Sequence, residues 1–390
     1  MDITITPHKL SGPITPPPSK SQAHRAIIAA ALAEGESRIG NLARSQDILA
    51  TQSCMAALKA PGTGLPALDC GESGSTLRFL IPVALVLRGG GVFSGRGRLM
   101  ERPQEPYFQI FQEKGVSYGQ KEGTLTVSGT LTPGRYPLRG DVSSQFITGL
   151  LYALPLLEGD SDIMLTTPLE SKGYVDMTLD VLARFGIGVE DRDGQSFHIP
   201  GGQKYRARSF TVEADWSQAG FWYAANGLGG SVKILGMDAA SKQGDKIIAP
   251  YYVKLCGPGE AVLDVSQCPD LVPALAVQAA LRAGETTQIV NAARLRIKES
   301  DRLDTVTTEL SKLGAKVAQT PDALVIEGVD RLTGGEVDSH NDHRIAMMLA
   351  VAATRAAGPV TIRGAESVNK SYPNFWEDYK SLGGIVTCGM

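Results

Sequence analysis

The sequence predicts an α/β protein made of six repeated β-α-β-α-β-β units, three in each of two domains. Two observations predict this fold. First, a polar segment followed by an apolar, helix-like stretch and a short β-branched strand recurs six times along the 390 residues. Second, several of the helices that follow these strands share an apolar–Gly–apolar ending, such as Leu313-Gly314-Ala315. The fourth repeat is the least regular of the six.

The polar openings of the repeats are predicted to be helix N-termini. They lie at residues 19–22, 71–74, 141–145, 215–218, 264–267 and 340–343. In the first opening, Ser19 and Gln22 have the spacing of a capping box. A helix N-terminus has unpaired backbone N–H groups and a partial positive charge, so it binds anions readily. Because several openings also carry Lys or Arg, we infer a scaffold that gathers helix starts and cations around a polyanionic small molecule.

A short strand is predicted after each of these helices. The strands are expected at residues 37–39, 91–93, 162–165, 231–234, 287–290 and 360–362. The best patterned of the second helices has Leu303, Val306, Leu310 and Leu313 at positions i, i+3, i+7 and i+10. This spacing is typical of an amphipathic helix, and Gly314 is expected to end it.

The domain boundary is expected near residue 213, where three repeats have been completed. The stiff run Pro16-Pro17-Pro18 is the expected first crossing between domains. One predicted domain therefore covers residues 19–213, and the other covers 1–18 together with 214–390. We expect the active site in the cleft between them, because domain interfaces are common ligand sites.

Composition and charge exclude several classes of protein. The net charge of −3 argues against general affinity for nucleic acid or for an anionic membrane. The five cysteines are scattered and form no C-x-x-C pair, which favours a reducing cytoplasm over a disulfide or zinc framework. No signal pattern or membrane-spanning apolar run is present. The sequence also lacks a nucleotide P-loop and a G-x-S-x-G elbow. We therefore expect a cytoplasmic protein without metal or cofactor. A monomer is a separate expectation that these observations do not give.

Several cations lie in the first turns of predicted helices. Lys20, His24 and Arg25 follow the first polar opening, and Arg78 and Arg344 lie early in two other helices. Cations at a helix N-terminus are repelled by its partial positive charge, so these positions are unfavourable unless an anion is bound there. The alternative is a set of solvated, charged turns.

The densest cluster of charge is Arg294-Leu295-Arg296-Ile297-Lys298-Glu299-Ser300-Asp301-Arg302. Lys298, Glu299 and Arg302 could converge on a ligand, and a carboxylate among cations can act as a general acid or base if burial adjusts its pKa. A solvated surface is the alternative. Asp270 precedes an apolar helix. It is either the N-cap of that helix or a base that accepts a proton from a hydroxyl.

Neutral polar groups at the third opening are a weaker signal. Ser143, Ser144 and Gln145 offer hydroxyl and amide groups that suit phosphate or sugar-like hydroxyls. A simple N-cap explains either serine equally well. His343 lies between Asp342 and Arg344, and no H-x-x-x-H or Cys/His set supports a metal there. A lone histidine is more often structural than catalytic.

Taken together and in order, these segments resemble the 5-enolpyruvylshikimate-3-phosphate (EPSP) synthase family of enolpyruvyl transferases. The resemblance covers nearly the whole chain. Its segments are Ser19-Lys20-Ser21 with Arg25, Gly71-Glu72-Ser73-Gly74-Ser75-Thr76-Leu77-Arg78, Glu101-Arg102-Pro103, Ser143-Ser144-Gln145-Phe146, Ser171-Lys172-Gly173-Tyr174, Pro269-Asp270, Lys298-Glu299-Ser300-Asp301-Arg302-Leu303, Asn341-Asp342-His343-Arg344 and Lys370-Ser371-Tyr372-Pro373. The family fold has two domains of three β-α-β-α-β-β units, which agrees with the repeats.

The resemblance implies a role for individual residues. The implied contacts of shikimate 3-phosphate are Lys20, Ser21, Arg25, Ser143, Ser144, Ser171, Tyr174, Asp270 and Lys298. The implied contacts of phosphoenolpyruvate are Lys20, Gly74, Arg102, Gln145, Arg302, Arg344 and Lys370. The implied catalytic residues are Asp270, Glu299 and Lys20. We favour Asp270 as base and Glu299 as acid, and the reverse assignment stays open.

The reaction implied is transfer of the enolpyruvyl group of phosphoenolpyruvate to the 5-hydroxyl of shikimate 3-phosphate, with release of phosphate by addition and elimination. That step belongs to the shikimate pathway of aromatic amino-acid biosynthesis. Both substrates carry a phosphate and a carboxylate, so one site that binds them needs many cations. The planar guanidinium of Arg can donate two parallel hydrogen bonds to either a phosphate or a carboxylate.

The sequence departs from the family pattern at a few positions and leaves two alternatives. Glu72 and Arg294 stand where many members have Asn, and Asn374 stands where Asp is frequent. The first alternative is the sister enzyme that uses UDP-N-acetylglucosamine, which has a Cys in the loop before its Arg-Pro pair; residues 94–103 contain none. The second is a non-catalytic anion-binding protein, which has no use for the carboxylates of Asp270 and Glu299.

Overall fold

The computed structural model describes residues 1–389, and the chain forms two compact units. The continuous unit is Pro18–Val212, and the discontinuous unit combines Met1–Pro17 with the chain from Glu213 onward. Among the described residues, no helix has the length and apolar character needed to cross a membrane.

Helices make up much of both units. In chain order they are α1 (Lys20–Leu32), α2 (Gln46–Lys59), α3 (Gly74–Arg88), α4 (Glu105–Lys114), α5 (Ser144–Ala153), α6 (Lys172–Arg184), α7 (Trp216–Gly227), α8 (Ile248–Cys256), α9 (Val272–Ala280), α10 (Arg302–Lys312), α11 (His343–Ala353) and α12 (Phe375–Ser381). Short 3-10 turns lie between several of them, including Pro269–Leu271 just before α9.

The strands are short and alternate with the helices. They are β1 (Ile3–Thr6), β2 (Ser11–Ile14), β3 (Arg38–Gly40), β4 (Ala67–Asp69), β5 (Gly90–Ser94), β6 (Ser117–Lys121), β7 (Thr124–Ser128), β8 (Gly134–Leu138), β9 (Ser161–Leu165), β10 (Glu190–Arg192), β11 (Ser196–Ile199), β12 (Ser209–Thr211), β13 (Ser231–Ile234), β14 (Ala261–Asp264), β15 (Thr286–Val290), β16 (Lys316–Gln319), β17 (Leu324–Glu327), β18 (Gly335–Asp338), β19 (Val360–Arg363) and β20 (Ile385–Cys388). All the strands expected after the first helices of the repeats are present.

Four repeats form complete β-α-β-α-β-β units with the same four-stranded sheet. In the unit β4-α3-β5-α4-β6-β7 the strand order is β4-β5-β7-β6, with β4 parallel to β5 and β7 antiparallel to both of its neighbours. The sheets β8-β9-β11-β10 and β14-β15-β17-β16 repeat this order. In the sheet β18-β19-β1-β20, the N-terminal strand β1 takes the place of the last strand. The predicted α/β repeat fold is confirmed.

The first and fourth repeats contain two strands instead of four. They are the parallel pairs β3 with β12 and β2 with β13, each made from strands far apart in the sequence. The reason lies in the connections, because α2 leads to β4 through the short Pro- and Gly-rich segment 60–66. That segment has no room for the closing hairpin. The chain likewise passes from α8 to β14 through residues 257–260.

Each unit has its own hydrophobic core, and the helices inside that core are almost completely buried. Leu303, Val306, Leu310 and Leu313 are fully buried, which confirms the apolar stripe expected for α10. Gly314, with φ of +86°, follows that helix in the left-handed conformation typical of a helix end. Every residue of α11 is buried. The polar residues that α11 could place near a ligand, His343 and Arg344, lie in its N-terminal turn.

The expected helix start at residues 264–267 is wrong. Asp264 ends β14, and its Oδ1 accepts a hydrogen bond from the backbone N–H of Ser266 at 2.9 Å. The helix begins further on, after the turn Pro269–Leu271. An Asp whose side chain closes a turn with its own backbone has the same local sequence as an N-cap, which explains the error.

Candidate active site

The start of α1 has the predicted cap and a cation next to it. Ser19 Oγ accepts a hydrogen bond from the backbone N–H of Gln22 at 3.4 Å, as the capping-box spacing predicts. The Lys20 ammonium donates to Asp47 Oδ2 at 2.7 Å, and both side chains are largely buried, at 14% and 9% exposure. Asp47 was missed by the sequence analysis. It lies in the first turn of α2, where a carboxylate reads as an ordinary helix-start residue.

Arg25 lies in the core of the continuous unit. Its Nη1 donates to the backbone oxygen of Ser21 at 2.7 Å, its Nη2 to that of Tyr174 at 3.0 Å, and its Nε to Thr178 Oγ1 at 2.8 Å. The guanidinium also lies over the ring of Phe79. Burial lowers its pKa to about 10. Arg25 thus fixes the backbone of two other proposed site residues, Ser21 and Tyr174.

Arg78 and Gln145 join the starts of α3 and α5. Arg78 Nη1 donates to Gln145 Oε1 at 3.0 Å, and Gln145 Nε2 donates to Ser75 Oγ at 3.0 Å. Arg78 Nη2 donates to the backbone oxygen of Pro103 at 2.9 Å. Because Pro103 follows Arg102, this network brings three of the resemblance segments together in the continuous unit.

The two serines at the start of α5 have different roles. Ser143 Oγ accepts from the backbone N–H of Gln145 at 3.3 Å, so Ser143 is the N-cap of the helix, as the simpler interpretation allowed. Ser144 is the first residue of α5 and is buried.

At the start of α6, Ser171 has φ of +56°, a left-handed conformation that is costly for a residue with a side chain.

Arg102 and Gly74 lie against each other. A β-carbon built on Gly74 would lie 2.5 Å from Arg102 Nη1. Arg102 is only 8% exposed. Within residues 1–389 its buried Nε has no hydrogen-bond partner. A nearly buried guanidinium nitrogen without a partner is expensive, and an anionic ligand would satisfy it.

In the discontinuous unit, Arg302 joins three carboxylates from separate chain segments. Its Nη1 donates to Asp270 Oδ1 at 3.0 Å and its Nη2 to Glu299 Oε2 at 2.7 Å. Its Nε donates to Asp342 Oδ2 at 2.8 Å. Arg302 and Asp342 are almost completely buried, at 1% and 0% exposure of their side chains. Removing one partner of such a buried pair costs about 3–5 kcal/mol, since the other charge remains buried.

The carboxylates also determine the pKa of this guanidinium. Burial favours the neutral form of Arg302, and the nearby charges of Asp342, Glu299 and Asp270 more than offset that effect and raise its pKa. Arg302 is therefore a permanent cation in the centre of the cluster. Asp342 belongs to the segment Asn341-Asp342-His343-Arg344 that carries the resemblance, but the sequence analysis did not predict it as a site residue.

Asp270 is held by cations on several sides. Arg344 Nη2 donates to its Oδ2 at 3.0 Å, and the Lys298 ammonium lies 3.3 Å from its Oδ1. Asp270 lies inside the 3-10 turn before α9, whose N-cap residue is Cys268. The N-cap interpretation of Asp270 is therefore wrong.

Arg344 connects the starts of three helices. Its Nη2 also donates to Ser217 Oγ in the first turn of α7, at 3.0 Å, and its Nη1 to the backbone oxygen of Asp270, at 3.0 Å. Its own backbone N–H donates to Asp342 Oδ1, the side chain that caps α11. The starts of α7 and α11 and the turn before α9 thus meet at one cationic side chain.

Lys298 has a strongly perturbed ammonium group. Burial lowers its pKa to about 8, against the opposing effect of the Asp270 charge. Its side chain remains 23% exposed, so it can still meet a ligand.

Lys370 and His343 complete the predicted set in the discontinuous unit. The Lys370 ammonium donates to the backbone oxygen of Asn341, the residue before Asp342. His343 is the first residue of α11 and is buried. Asp270 thus pairs with Lys298, Arg302 and Arg344, and Arg302 also pairs with Glu299. Lys370 joins this set through the turn that carries Asp342. Within residues 1–389, no group of three or more His, Cys, Asp or Glu side chains could hold a metal ion.

Comparison with known proteins identifies the family of the chain. A family model described as EPSP synthase (3-phosphoshikimate 1-carboxyvinyltransferase) matches residues 5–379. The chain is 49% identical to a 3-phosphoshikimate 1-carboxyvinyltransferase of Clostridium acetobutylicum, with 98% of each chain covered. It is 46% identical to one from Clostridium perfringens, with 98% of this chain and 99% of that chain covered.

A solved structure of EPSP synthase from Acinetobacter baumannii is also similar. It has a TM-score of 0.79 and 26% sequence identity, and the match covers 99% of this chain and 100% of that chain. The family model and these relatives match along almost the whole chain. The chain belongs to the EPSP synthase family.

Proposed function

We propose that the protein is an enzyme that transfers the enolpyruvyl group of phosphoenolpyruvate to the 5-hydroxyl of shikimate 3-phosphate and releases phosphate. Membership of the family and the activity named for its relatives support this function. The observation that carries it is the pair of carboxylates, Asp270 and Glu299, bound to the single guanidinium of Arg302. Addition followed by elimination needs a base and an acid close together, and simple anion capture does not.

We propose the same substrate contacts that the resemblance implies. Phosphoenolpyruvate would bind to Gly74, Arg102, Gln145, Arg302, Arg344 and Lys370, and the unpartnered Nε of Arg102 supports this assignment. Shikimate 3-phosphate would bind to Ser21, Arg25, Ser143, Ser144, Ser171, Tyr174, Asp270 and Lys298. Lys20 would contact both substrates. Arg25 would also hold Ser21 and Tyr174, because its guanidinium donates to their backbone oxygens.

In the addition step, Asp270 takes the proton of the 5-hydroxyl while the hydroxyl oxygen bonds to C2 of phosphoenolpyruvate. Glu299 gives a proton to C3, which becomes a methyl group. The cations around both carboxylates stabilise the negative charge of the substrates throughout. Asp270 lies within 3.3 Å of three cations, those of Lys298, Arg302 and Arg344.

In the elimination step, C3 gives a proton back to the Glu299 carboxylate, the C2–C3 double bond forms again, and the C2–O bond to phosphate breaks. The phosphate takes up the proton that Asp270 removed from the 5-hydroxyl. The departing phosphate carries away the electron pair, and Arg and Lys side chains bind it as it leaves. Neither step changes an oxidation state, so the proposal includes no cofactor. Exclusion of water would protect the cationic character that develops at C2.

The protein acts on small molecules, and we further propose that it does so as a cytoplasmic monomer. All five cysteines are free thiols, which fits a reducing compartment. Sedimentation at micromolar concentration would test the monomer, since a dimer would be detected directly.

The assay of phosphate release tests the function. Release should require both shikimate 3-phosphate and phosphoenolpyruvate, and neither substrate alone should support it. Release with UDP-N-acetylglucosamine in place of shikimate 3-phosphate would instead identify the sister activity. Binding of both ligands without any release would identify a non-catalytic anion-binding protein.

A further inference from the structure

Glu309 is a fully buried carboxylate on α10 that contacts none of the proposed substrate-binding side chains. Its Oε1 accepts hydrogen bonds from the Lys312 ammonium at 2.8 Å and from His340 Nε2 at 2.7 Å. Its Oε2 accepts from the backbone N–H of Asp338 at 2.9 Å. Burial opposes its ionisation, but the bonds from Lys312, His340 and Asp338 outweigh that effect and lower its pKa. The carboxylate is therefore charged, and both of its oxygens accept hydrogen bonds.

Two of these bonds hold the turn that leads from β18 to α11. His340 and Asn341 are consecutive left-handed residues, with φ of 50° and 54°. That conformation is uncommon for residues with side chains, and two such residues in succession need support from their surroundings. The Glu309 carboxylate is hydrogen-bonded to the start of the turn, at the Asp338 N–H, and to its middle, at the His340 ring. Asp338 Oδ1 adds a bond from the backbone N–H of His340 at 2.6 Å.

The turn carries groups that the proposed phosphoenolpyruvate site depends on. The backbone oxygen of Asn341 accepts from the Lys370 ammonium. The next residue, Asp342, caps α11 and binds Arg302 Nε at 2.8 Å. A shift of the turn would therefore displace Lys370 and Arg302 together.

We propose that Glu309 is a positioning residue, which fixes the turn 338–341 and through it the cations that bind phosphoenolpyruvate. The inference rests on the proposed function, because it assumes that Lys370 and Arg302 meet that substrate. Glu309 itself touches no reacting atom. Its effect should therefore appear in the affinity for one substrate and not in a general loss of activity.

The first test is Glu309→Gln, which keeps the volume of the side chain and removes its charge. One amide hydrogen must then face a donor, from His340, Lys312 or the Asp338 N–H. We expect the KM for phosphoenolpyruvate to rise about tenfold, the lower end of the loss seen when supporting residues of metal ligands are changed, with the KM for shikimate 3-phosphate changed by less than about twofold. Equal increases in both KM values, or no increase, would overturn the inference.

Four further variants separate positioning from stability. Val306→Ala removes buried volume from the same helix and should lower stability without changing either KM. Glu327→Gln removes an exposed carboxylate of the same unit and should be neutral. His340→Ala should raise the KM for phosphoenolpyruvate in the same direction as Glu309→Gln, and His340→Gln, which can still donate to Glu309, should restore it partly. His340 is 38% exposed, so these two variants should fold even if Glu309→Gln does not.

Lys370→Ala distinguishes failure of this inference from failure of the proposed site. If Lys370→Ala raises the KM for phosphoenolpyruvate while Glu309→Gln and His340→Ala do not, the site stands and the role of Glu309 is wrong. If Lys370→Ala has no effect, the assignment of phosphoenolpyruvate to this side of the site is wrong, and the positioning role is wrong with it.

Discussion

Gly74 and Arg102 are packed so closely that a β-carbon on Gly74 would lie 2.5 Å from Arg102 Nη1 and 3.0 Å from its Cζ. Gly74 is the first residue of α3, where its backbone has ordinary helical geometry. The glycine is therefore required by the guanidinium next to it and not by an unusual backbone conformation.

Gly74→Ala should weaken phosphoenolpyruvate binding. The added methyl group must push the Arg102 guanidinium aside, because α3 is buried and cannot shift easily. We expect the KM for phosphoenolpyruvate to rise about tenfold or more, which corresponds to about 1.4 kcal/mol, with little change in thermal stability. Gly119→Ala is the matched control, since nothing lies within 4 Å of a β-carbon built there. A normal KM for Gly74→Ala would show that Arg102 does not contact this substrate.

The lowered pKa of Lys298 predicts a pH dependence. Its ammonium group has a pKa of about 8, so above that pH the neutral amine predominates in the free enzyme. Because a neutral amine no longer attracts the anionic substrate, kcat/KM for shikimate 3-phosphate should fall as the pH rises from 8 to 9.5.

Lys298→Arg provides the control for this pH dependence. The guanidinium stays charged over the whole range, so the decline above pH 8 should disappear even if kcat/KM at pH 7 is lower. Persistence of the same decline in Lys298→Arg would assign the titration to another group.

The sequence predicted the parts of the fold that local patterns determine. The i, i+3, i+7 and i+10 spacing of Leu303, Val306, Leu310 and Leu313 was enough to identify α10, because one buried face requires that period. The start of helix α9 was misplaced, since Asp264 closes a turn instead of capping a helix. In the first and fourth repeats the short connections leave no room for a hairpin, and no local pattern shows that β3 pairs with β12 or β2 with β13.

The sequence predicted which residues belong to the candidate site, but not which of them are hydrogen-bonded to one another. Motifs identified Arg302 and Glu299, but no local pattern shows that Asp270 and Asp342 share the same guanidinium. These contacts join residues up to 72 positions apart (342 − 270) and depend on the packing of α9, α10 and α11. Glu309 gave no signal at all, because a single Glu in a helix is usually exposed.

A buried chain of hydroxyl groups gives a prediction about stability. His24 Nδ1 and Thr51 Oγ1 lie 2.7 Å apart, and Thr51 Oγ1 lies 2.6 Å from Thr76 Oγ1. Thr51→Val keeps the shape of the side chain and leaves both neighbours without this partner. We expect the free energy of unfolding to fall by about 1–3 kcal/mol, measured by urea denaturation. The exposed Thr63→Val should be neutral, and an equally stable Thr51→Val would mean that water or another group replaces the hydroxyl.

Glu299→Gln tests the proposed acid directly. The amide oxygen can still accept from Arg302 Nη2, which donates to Glu299 at 2.7 Å in the native protein, so the cluster should stay folded. An amide cannot deliver a proton to C3, and kcat should therefore fall about a hundredfold or more, while calorimetry shows phosphoenolpyruvate binding within about threefold of the native affinity. Asp270→Asn, measured in parallel, should also lower kcat, because the base would be lost. If Glu299→Gln keeps its turnover while Asp270→Asn loses it, the proton that reaches C3 does not come from Glu299.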